Sequence, residues 1–302
     1  MISVIIPTYN RLKKLQKTLK VFGEQTLSKK DFEVVVVEDG GSDGTREFMT
    51  VFQKSTELNL RYYFLDHGGP ERARNFGVEK SSFSIVLFCG DDTYPEKDLL
   101  KIHCDRHRQK KDIAVLGMAL WDESEEVTDF MRWLAPEGPQ FHYNTIKDRN
   151  DAGFDHFYTC NISLEKKWFD SEKFDERFDY AFEDIDLGLR LEKMGLKIIF
   201  DPEAKVYHAH YYDEENFDQR MKRVGRSSII FFRKYENNRK TLKQLKMKYA
   251  PFYFFPGLKI FHWLSKILAR SKLIRKINIK YSWFWRVCYC YVSGMIEELS
   301  NK

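Results

Sequence analysis

The stretch FEVVVV, residues 32–37, limits the possible folds more than any other part of the chain. Side chains of a strand alternate between its faces, so four consecutive valines demand cover on both. Strands buried on two faces belong to parallel sheets, and parallel neighbours need long crossovers, usually helices. The flanking sequence supplies them. SVIIP at 3–7 is a short β-branched run, and Leu12, Leu15, Leu19 and Phe22 recur at helical spacing. LRYYFL (60–65) and SIVLF (84–88) read as further strands. EDGGSDGT (38–45) is a turn in which Ser42 or Asp43 is placed to cap the next helix. GGPERARNFGVEK (68–80) is a glycine-rich loop that opens another. This alternation predicts an α/β fold, a mostly parallel sheet with helices on both faces. Ligands bind such sheets beyond the carboxyl ends of the strands. Segments 7–10, 38–45 and 90–92 fall there and should converge on one cleft.

Beyond this core, AVLGMAL (114–120) predicts a strand, 183–194 a helix ended by Gly195 with a strand after it, AKVYHAH (204–210) a short strand, and 217–234 a helix. Residues 122–158, with Pro136, Gly138 and Pro139, read as irregular.

Composition narrows the classes. The 302 residues could form one large or two modest domains, and 43% hydrophobic content suffices for a core. Five cysteines without a CxxC argue against a disulfide framework or zinc ribbon and for a reducing compartment. MISVIIPTYN lacks a basic leader and reads as a strand, not a signal peptide. No uncharged apolar run is long enough to predict a spanning helix. Charge is split: residues 240–302 carry 13 Lys/Arg against 2 Asp/Glu, whereas the residues before them carry 37 against 43. An acidic body therefore precedes a basic tail, and the two halves should meet different partners.

Chemistry concentrates at IVLFCGDDTYPEKDLL (85–100). Two adjacent carboxylates closing an apolar strand repel each other unless a cation sits between them. Asp91 and Asp92 are either turn and N-cap residues before a helix starting near Glu96, or ligands for Mg²⁺ or Mn²⁺ held with a diphosphate. Asp39 ends a strand where an acid can accept hydrogen bonds from a base or ribose. Arg72 and Arg74 near a helix N-terminus suit phosphate or plain solvation. The absence of GxGxxG weighs against a nicotinamide enzyme, and the absence of GxxxxGK[ST] excludes a P-loop. In FEDIDLGLRL, Glu183 and Asp186 lie one turn apart while Asp184 points elsewhere; one of the three carboxylates should face a cleft and could act as a general base. His208 and His210 alternate on a strand and point the same way, as structural groups or metal ligands. His103 and His107, at i,i+4 without the glutamate of HExxH, predict a surface helix.

The ordered set VIIPTYNR, VVVVEDGGSDGT, ARNFG, LFCGDD, NISLEKKWF, FDERFDYAFEDIDLGLRL and YHAH resembles the family 2 glycosyltransferases over residues 1–232. The resemblance implies a GT-A fold, a Rossmann-like sheet, for a catalytic domain at 1–235, and a nucleotide-diphospho-sugar donor, usually a UDP-sugar. It implies that Pro7, Thr8, Tyr9, Asp39, Arg74, Gly90 and Asp91 meet the nucleotide. Asp91, Asp92 and His208 would hold Mn²⁺ or Mg²⁺, Asp184 would be the catalytic base of an inverting displacement, and Asn161 and Glu183 would line the sugar and acceptor pocket. The implied acceptor is a glycan or lipid-linked hydroxyl in surface polysaccharide synthesis. Cys89 stands where the family's DxD has its first aspartate, and Cys160 where glycine is common. A sugar nucleotidyltransferase or a non-catalytic nucleotide- or glycan-binding protein of the same fold are the alternatives.

The region 236–302 mixes basic and aromatic residues, and in it Leu258, Phe261, Leu264 and Leu268 share one helical face. That is the pattern of a helix in a membrane interface, drawn to anionic lipid. No recognition motif supports nucleic acid as a partner. The expectation is a cytoplasmic protein, peripheral on the inner face of the cell membrane.

Overall fold

Every residue of the strand β2 (Phe32–Asp39) is buried, as the valine run requires. The structure, a computed structural model, describes residues 1–178, 180–237 and 258–300. They fall into two units: one of 1–127, 134–176 and 183–211, the other of 128–133, 177–182 and Tyr212 onward.

The first unit is built on an eight-stranded sheet. Its parallel part contains β1 (Ile2–Thr8), β2, β3 (Leu60–Leu65) and β4 (Ile85–Cys89), in the order β3-β2-β1-β4. β7 (Asn161–Glu165) pairs antiparallel with β4 and with β6 (Ile113–Trp121). β6 then pairs parallel with β8 (Lys197–His208), and the short β5 (Thr93–Pro95) closes that edge antiparallel. Helices α1 (Leu12–Phe22), α2 (Thr45–Ser55) and α3 (Pro70–Lys80) form the crossovers, with α4 (Leu99–Gln109) and α6 (Glu183–Lys193) further on. The N-cap of α2 is Gly44, with no side-chain cap, in place of the expected Ser42 or Asp43; the Asp43 carboxylate accepts from Thr45 N and also from Leu12 N at 2.7 Å, tying α2 to α1.

Three expectations are corrected. The helix after Pro95 begins at Leu99, because residues 93–95 are spent pairing with β8 and Glu96 N donates to Lys205 O. Asp91 and Asp92 are therefore not its caps. KIIF and AKVYH belong to one strand, with the register shifting opposite Gly117 and Met118 so that 202–204 bulge out. His103 and His107 are buried, not on a surface face. α4 lies against β6 and β8, and both imidazoles reach the Ser163 hydroxyl of β7 at 2.8 Å. Burial holds both rings far below the ordinary histidine range, at about 4. The 122–158 stretch contains α5 (Asp129–Leu134) and two single turns, Tyr143–Thr145 and Phe154–His156.

The second unit is helical: α7 (Glu214–Tyr235), α8 (Leu258–Arg270), α9 (Lys272–Ile277) and α10 (Ile279–Ser300). Asp213 caps α7 by accepting from Glu215 N and Asn216 N. α7 and α10 touch backbone to backbone, since a Cβ on Gly225 would meet Tyr291 O and one on Gly294 would meet Lys222 O. Arg286 clasps Asp218 at 2.9 Å and Trp283 donates to Glu214. α7 packs with the C-terminal helices, and the second unit takes them all in from Tyr212 onward. Residues 238–257, which include the start of the basic, aromatic tail, lie outside the described residues. Among the described residues no helix is long and apolar enough to cross a membrane.

Candidate active site at the carboxyl edge of the sheet

β1, β2, β3, β4, β6 and β8 all point the same way, so Thr8, Asp39, Cys89, Trp121 and His208 end on one edge. The convergence expected of segments 7–10, 38–45 and 90–92 is there. The cation facing both aspartates is Arg11: its Nη1 lies 3.2 Å from Asp91 Oδ1 and 2.6 Å from Asp92 Oδ2. Arg11 was passed over in the sequence, although it closes the VIIPTYNR motif; nothing local says that α1's first residues reach back to β4. Asp91 also accepts from the Thr8 hydroxyl at 2.8 Å. Burial and the charge of Asp92 push Asp91 up to about 6, against the pull of Arg11 and Thr8.

Asp92 faces the other way, toward β8. His208 Nε2 is 3.4 Å from its Oδ1 and His210 Nδ1 is 3.2 Å from its Oδ2. Burial works to raise Asp92, but His208, His210 and Arg11 outweigh it and hold the carboxyl well below the usual range. Ligand atoms of Asp92, His208 and His210 lie within 4.8 Å of one another, a group able to hold a metal ion. Two imidazole nitrogens and a carboxylate suit Mn²⁺ better than Mg²⁺, which prefers oxygen. The second nitrogen of His208, Nδ1, is buried with no partner, and the ring stacks 5.6 Å from Trp121. The structure thus groups His210 with Asp92 and His208, and holds Asp91 on Thr8 and Arg11 instead. Period-two alternation on a strand was the signal for His210. Cys89 is turned away, its thiol 2.9 Å from the Thr93 hydroxyl.

A second acidic group sits at the start of α6. Arg74 Nη1 pairs with Glu183 Oε1 at 3.2 Å, and both side chains are nearly buried. Burial, then the charge of Glu183, raise the half-buried Asp184 to about 7, with Arg74 pulling the other way. Burial and Glu183 likewise raise Glu71 to about 8. Glu71, inside GPERARN, is a third carboxylate that helical spacing alone does not connect to α6. Asp186, expected one turn from Glu183 on the same side, instead pairs with Arg190 at 3.0 Å. Both groups act on one side chain: the Cys160 thiol is raised chiefly by desolvation and further by the charges of Cys89, Asp184 and Asp92.

At the end of β2, Asp39 accepts the amides of Gly68 and Gly69 at 2.8 and 2.9 Å, shaping the β3–α3 loop. That loop brings the His67 ring onto exposed Tyr9, stacked at 4.5 Å. Pro7 and Gly90 are half-buried beside these groups. Arg72 donates to Asp66 O on the same loop. Asn161 is fully buried, donating to Ala204 O and Met118 O and bonded to His103, so it locks the bulge of β8.

The model of the family described as "Glycosyl transferase family 2" matches residues 3–171. Glycosyltransferase AglE of Haloferax volcanii is 39% identical over 101 residues, a third of each chain. Poly(ribitol-phosphate) β-N-acetylglucosaminyltransferase TarS of Staphylococcus aureus is 34% identical over 99 residues, 33% of this chain and 17% of that protein. The chain thus spans a third or less of the length of these two curated relatives. In three dimensions the mannosyltransferase PcManGT of Pyrobaculum calidifontis, solved with GDP-Man and Mn²⁺, superposes with a TM-score of 0.71 at 17% identity, covering all of this chain and 87% of that one. Residues 1–349 of S. aureus TarS with UDP give 0.55 at 17% identity, covering 100% and 92%. These likenesses establish the GT-A type of fold.

Proposed function

The chain belongs to glycosyl transferase family 2, and from that premise we propose that it moves a sugar, with inversion, from a nucleoside-diphosphate sugar to an acceptor hydroxyl. The observation that carries this reading is the Asp92–His208–His210 group at the carboxyl edge of the sheet, with Asp184, a carboxyl raised to about 7, near enough to act on the same Cys160. A base needs a pKa near its operating pH to accept a proton during attack and pass it on afterwards. Asp184 accepts the proton of the acceptor hydroxyl as that oxygen attacks the anomeric carbon from the side opposite the departing diphosphate. Glu183 keeps Asp184 basic, and Arg74 limits the repulsion among the three carboxylates.

Asp92, His208 and His210 would hold Mn²⁺, and the ion, when bound, offsets negative charge on the departing diphosphate. Arg11 adds a second cation at the same place. Thr8 orients Asp91 toward the nucleotide, and the Tyr9–His67 pair offers a flat face for a base. The preferred donor is a UDP-sugar, a reading supported by the UDP bound to TarS; the GDP-Man of PcManGT marks the alternative nucleotide. The acceptor is a hydroxyl of a glycan or lipid-linked chain in surface polysaccharide synthesis, in line with the name that TarS carries.

Incubation of the chain with Mn²⁺ and a panel of nucleotide sugars and acceptors tests this, with nucleoside diphosphate as the measured product. Asp184→Asn should lose ~10²–10⁴ of the transfer rate while binding nucleotide as before. Pyrophosphate as the product, or loss of nucleotide binding in the variant, would refute it.

A further inference from the structure

Helix α8 is turned inside out. Its inner side carries Phe261, 5.9 Å from Trp285, and His262, stacked 4.8 Å from Tyr289 and 3.4 Å from the Ser293 hydroxyl, all on α10. Ser265, a polar residue, is fully buried. The outer side carries Ile260, Trp263, Leu264 and Ile267, 64%, 59%, 43% and 46% exposed. Their i, i+3, i+4, i+7 spacing makes one continuous apolar stripe. This corrects the face expected from sequence: of that set only Leu264 is on the open stripe, Phe261 and Leu268 are half-buried, and the side chain of Leu258 is outside the described residues.

Water does not favour such a stripe, so its occupant must be named. The charges around it identify one. At 100° per residue, Lys266 and Arg270 flank the stripe on one side. Exposed Lys272, Arg275, Lys276 and Lys280 follow along α9 and into α10, interleaved with exposed Leu273 and Ile277. Residues 258–296 contain no acidic residue. Among the described residues, none of these six cations is in an ion pair. An apolar stripe with unneutralised cations beside it matches the acyl and headgroup layers of an anionic bilayer, and an acid-free rim leaves nothing to repel the lipid phosphates.

We infer that the outer face of α8, with α9 and the start of α10, lies in the interface of an anionic membrane, Trp263 and Ile267 inserted and the Lys/Arg row at the headgroups. The docking does not depend on the transfer chemistry, and its failure would leave that reading untouched.

The test is co-sedimentation of the full chain with vesicles of phosphatidylcholine, alone or mixed with phosphatidylglycerol. The full chain should pellet with the mixed vesicles and leave them at high salt, as surface charge is screened. Trp263→Glu with Ile267→Glu, at positions already open to water, should lower the partition coefficient roughly tenfold or more with unchanged circular dichroism and nucleotide binding. Lys272→Gln, Arg275→Gln, Lys276→Gln and Lys280→Gln together should abolish the preference for phosphatidylglycerol. Equal pelleting of the Glu variant, or no pelleting of the native chain, overturns the inference. So does a dimer in light scattering that the Glu variant dissolves, because the stripe would then be covered by a second copy.

Discussion

Replacing Glu183 by Gln isolates the electrostatic control of Asp184. Glu183 is the largest charge acting to keep that carboxyl protonated, second only to burial. Two unit charges roughly 7 Å apart at an effective dielectric near 20 repel by about 2 kcal/mol, or between one and two pKa units. The substitution also releases Arg74, now 3.2 Å from Glu183, to act on Asp184 in the same direction. Both effects lower the pKa from about 7. Transfer requires the carboxylate, so the rate rises with pH through that value, and the variant should show the rise at lower pH. A shift of about one unit takes the ionised fraction at pH 6 from about 9% to about 50%. Relative to its own plateau, the variant should then be about fivefold more active at pH 6. Initial rates of nucleoside diphosphate release from pH 5 to 9, read as kcat/KM, give the answer. A profile whose acid limb does not move, with a lower plateau, would mean that the titrating group is not Asp184 or that Glu183 does not act on it.

Other substitutions probe other parts of the molecule. Asp92→Asn should remove the thermal stabilisation that Mn²⁺ confers in differential scanning fluorimetry, and His210→Gln should weaken Mn²⁺ about tenfold; an unaltered response would place the ion elsewhere. Ser163→Ala leaves both His103 and His107 short of a partner and should cost about 2 kcal/mol, measured by urea unfolding. These two rings are kept neutral by burial at about 4, so the stability they allow is present above about 6.5 and lost as pH falls toward 4. Glu71 and Asp184 act in the opposite sense: raised to about 8 and 7, they favour the fold at low pH and lose that contribution as pH rises through those values. Between about 4 and 6.5 the two effects oppose each other, so the decline in stability should appear as pH rises above about 6.5, and a curve rising steadily to pH 9 would contradict the burial of the carboxylates. Gly117→Ala would put a Cβ 2.2 Å from both Ala204 O and Asn161 Nδ2, and should destabilise by about 3 kcal/mol; a neutral result would refute the close packing of the β8 bulge.

The parallel sheet was legible because its strands are apolar on both faces, a pattern few other environments tolerate. α1 follows its Leu12–Phe22 spacing to the residue. The carboxyl-edge convergence followed from topology alone, and with it the placement of Thr8, Asp39, Asp91 and Asp92. Where reading failed, the partner lay far along the chain. His103 and His107 carry no local mark of burial, since the hydroxyl that bonds them is some 60 residues away on β7. The outward stripe of α8 differs from the expected one because His262 finds its partners, Tyr289 and Ser293, on α10, and Ser265 is buried, donating to His262 O.

Periodicity and strand-end position, which are properties of neighbouring residues, decided the sheet, the edge that bears the site and the acidic residues that populate it. Direction was decided elsewhere. Which carboxylate meets the histidines, how Arg11 reaches both aspartates, and which carboxyl is raised toward neutrality depend on charges brought together from 80 to 120 residues apart. Coulomb energy and desolvation act through space, so they exist only once the chain has closed.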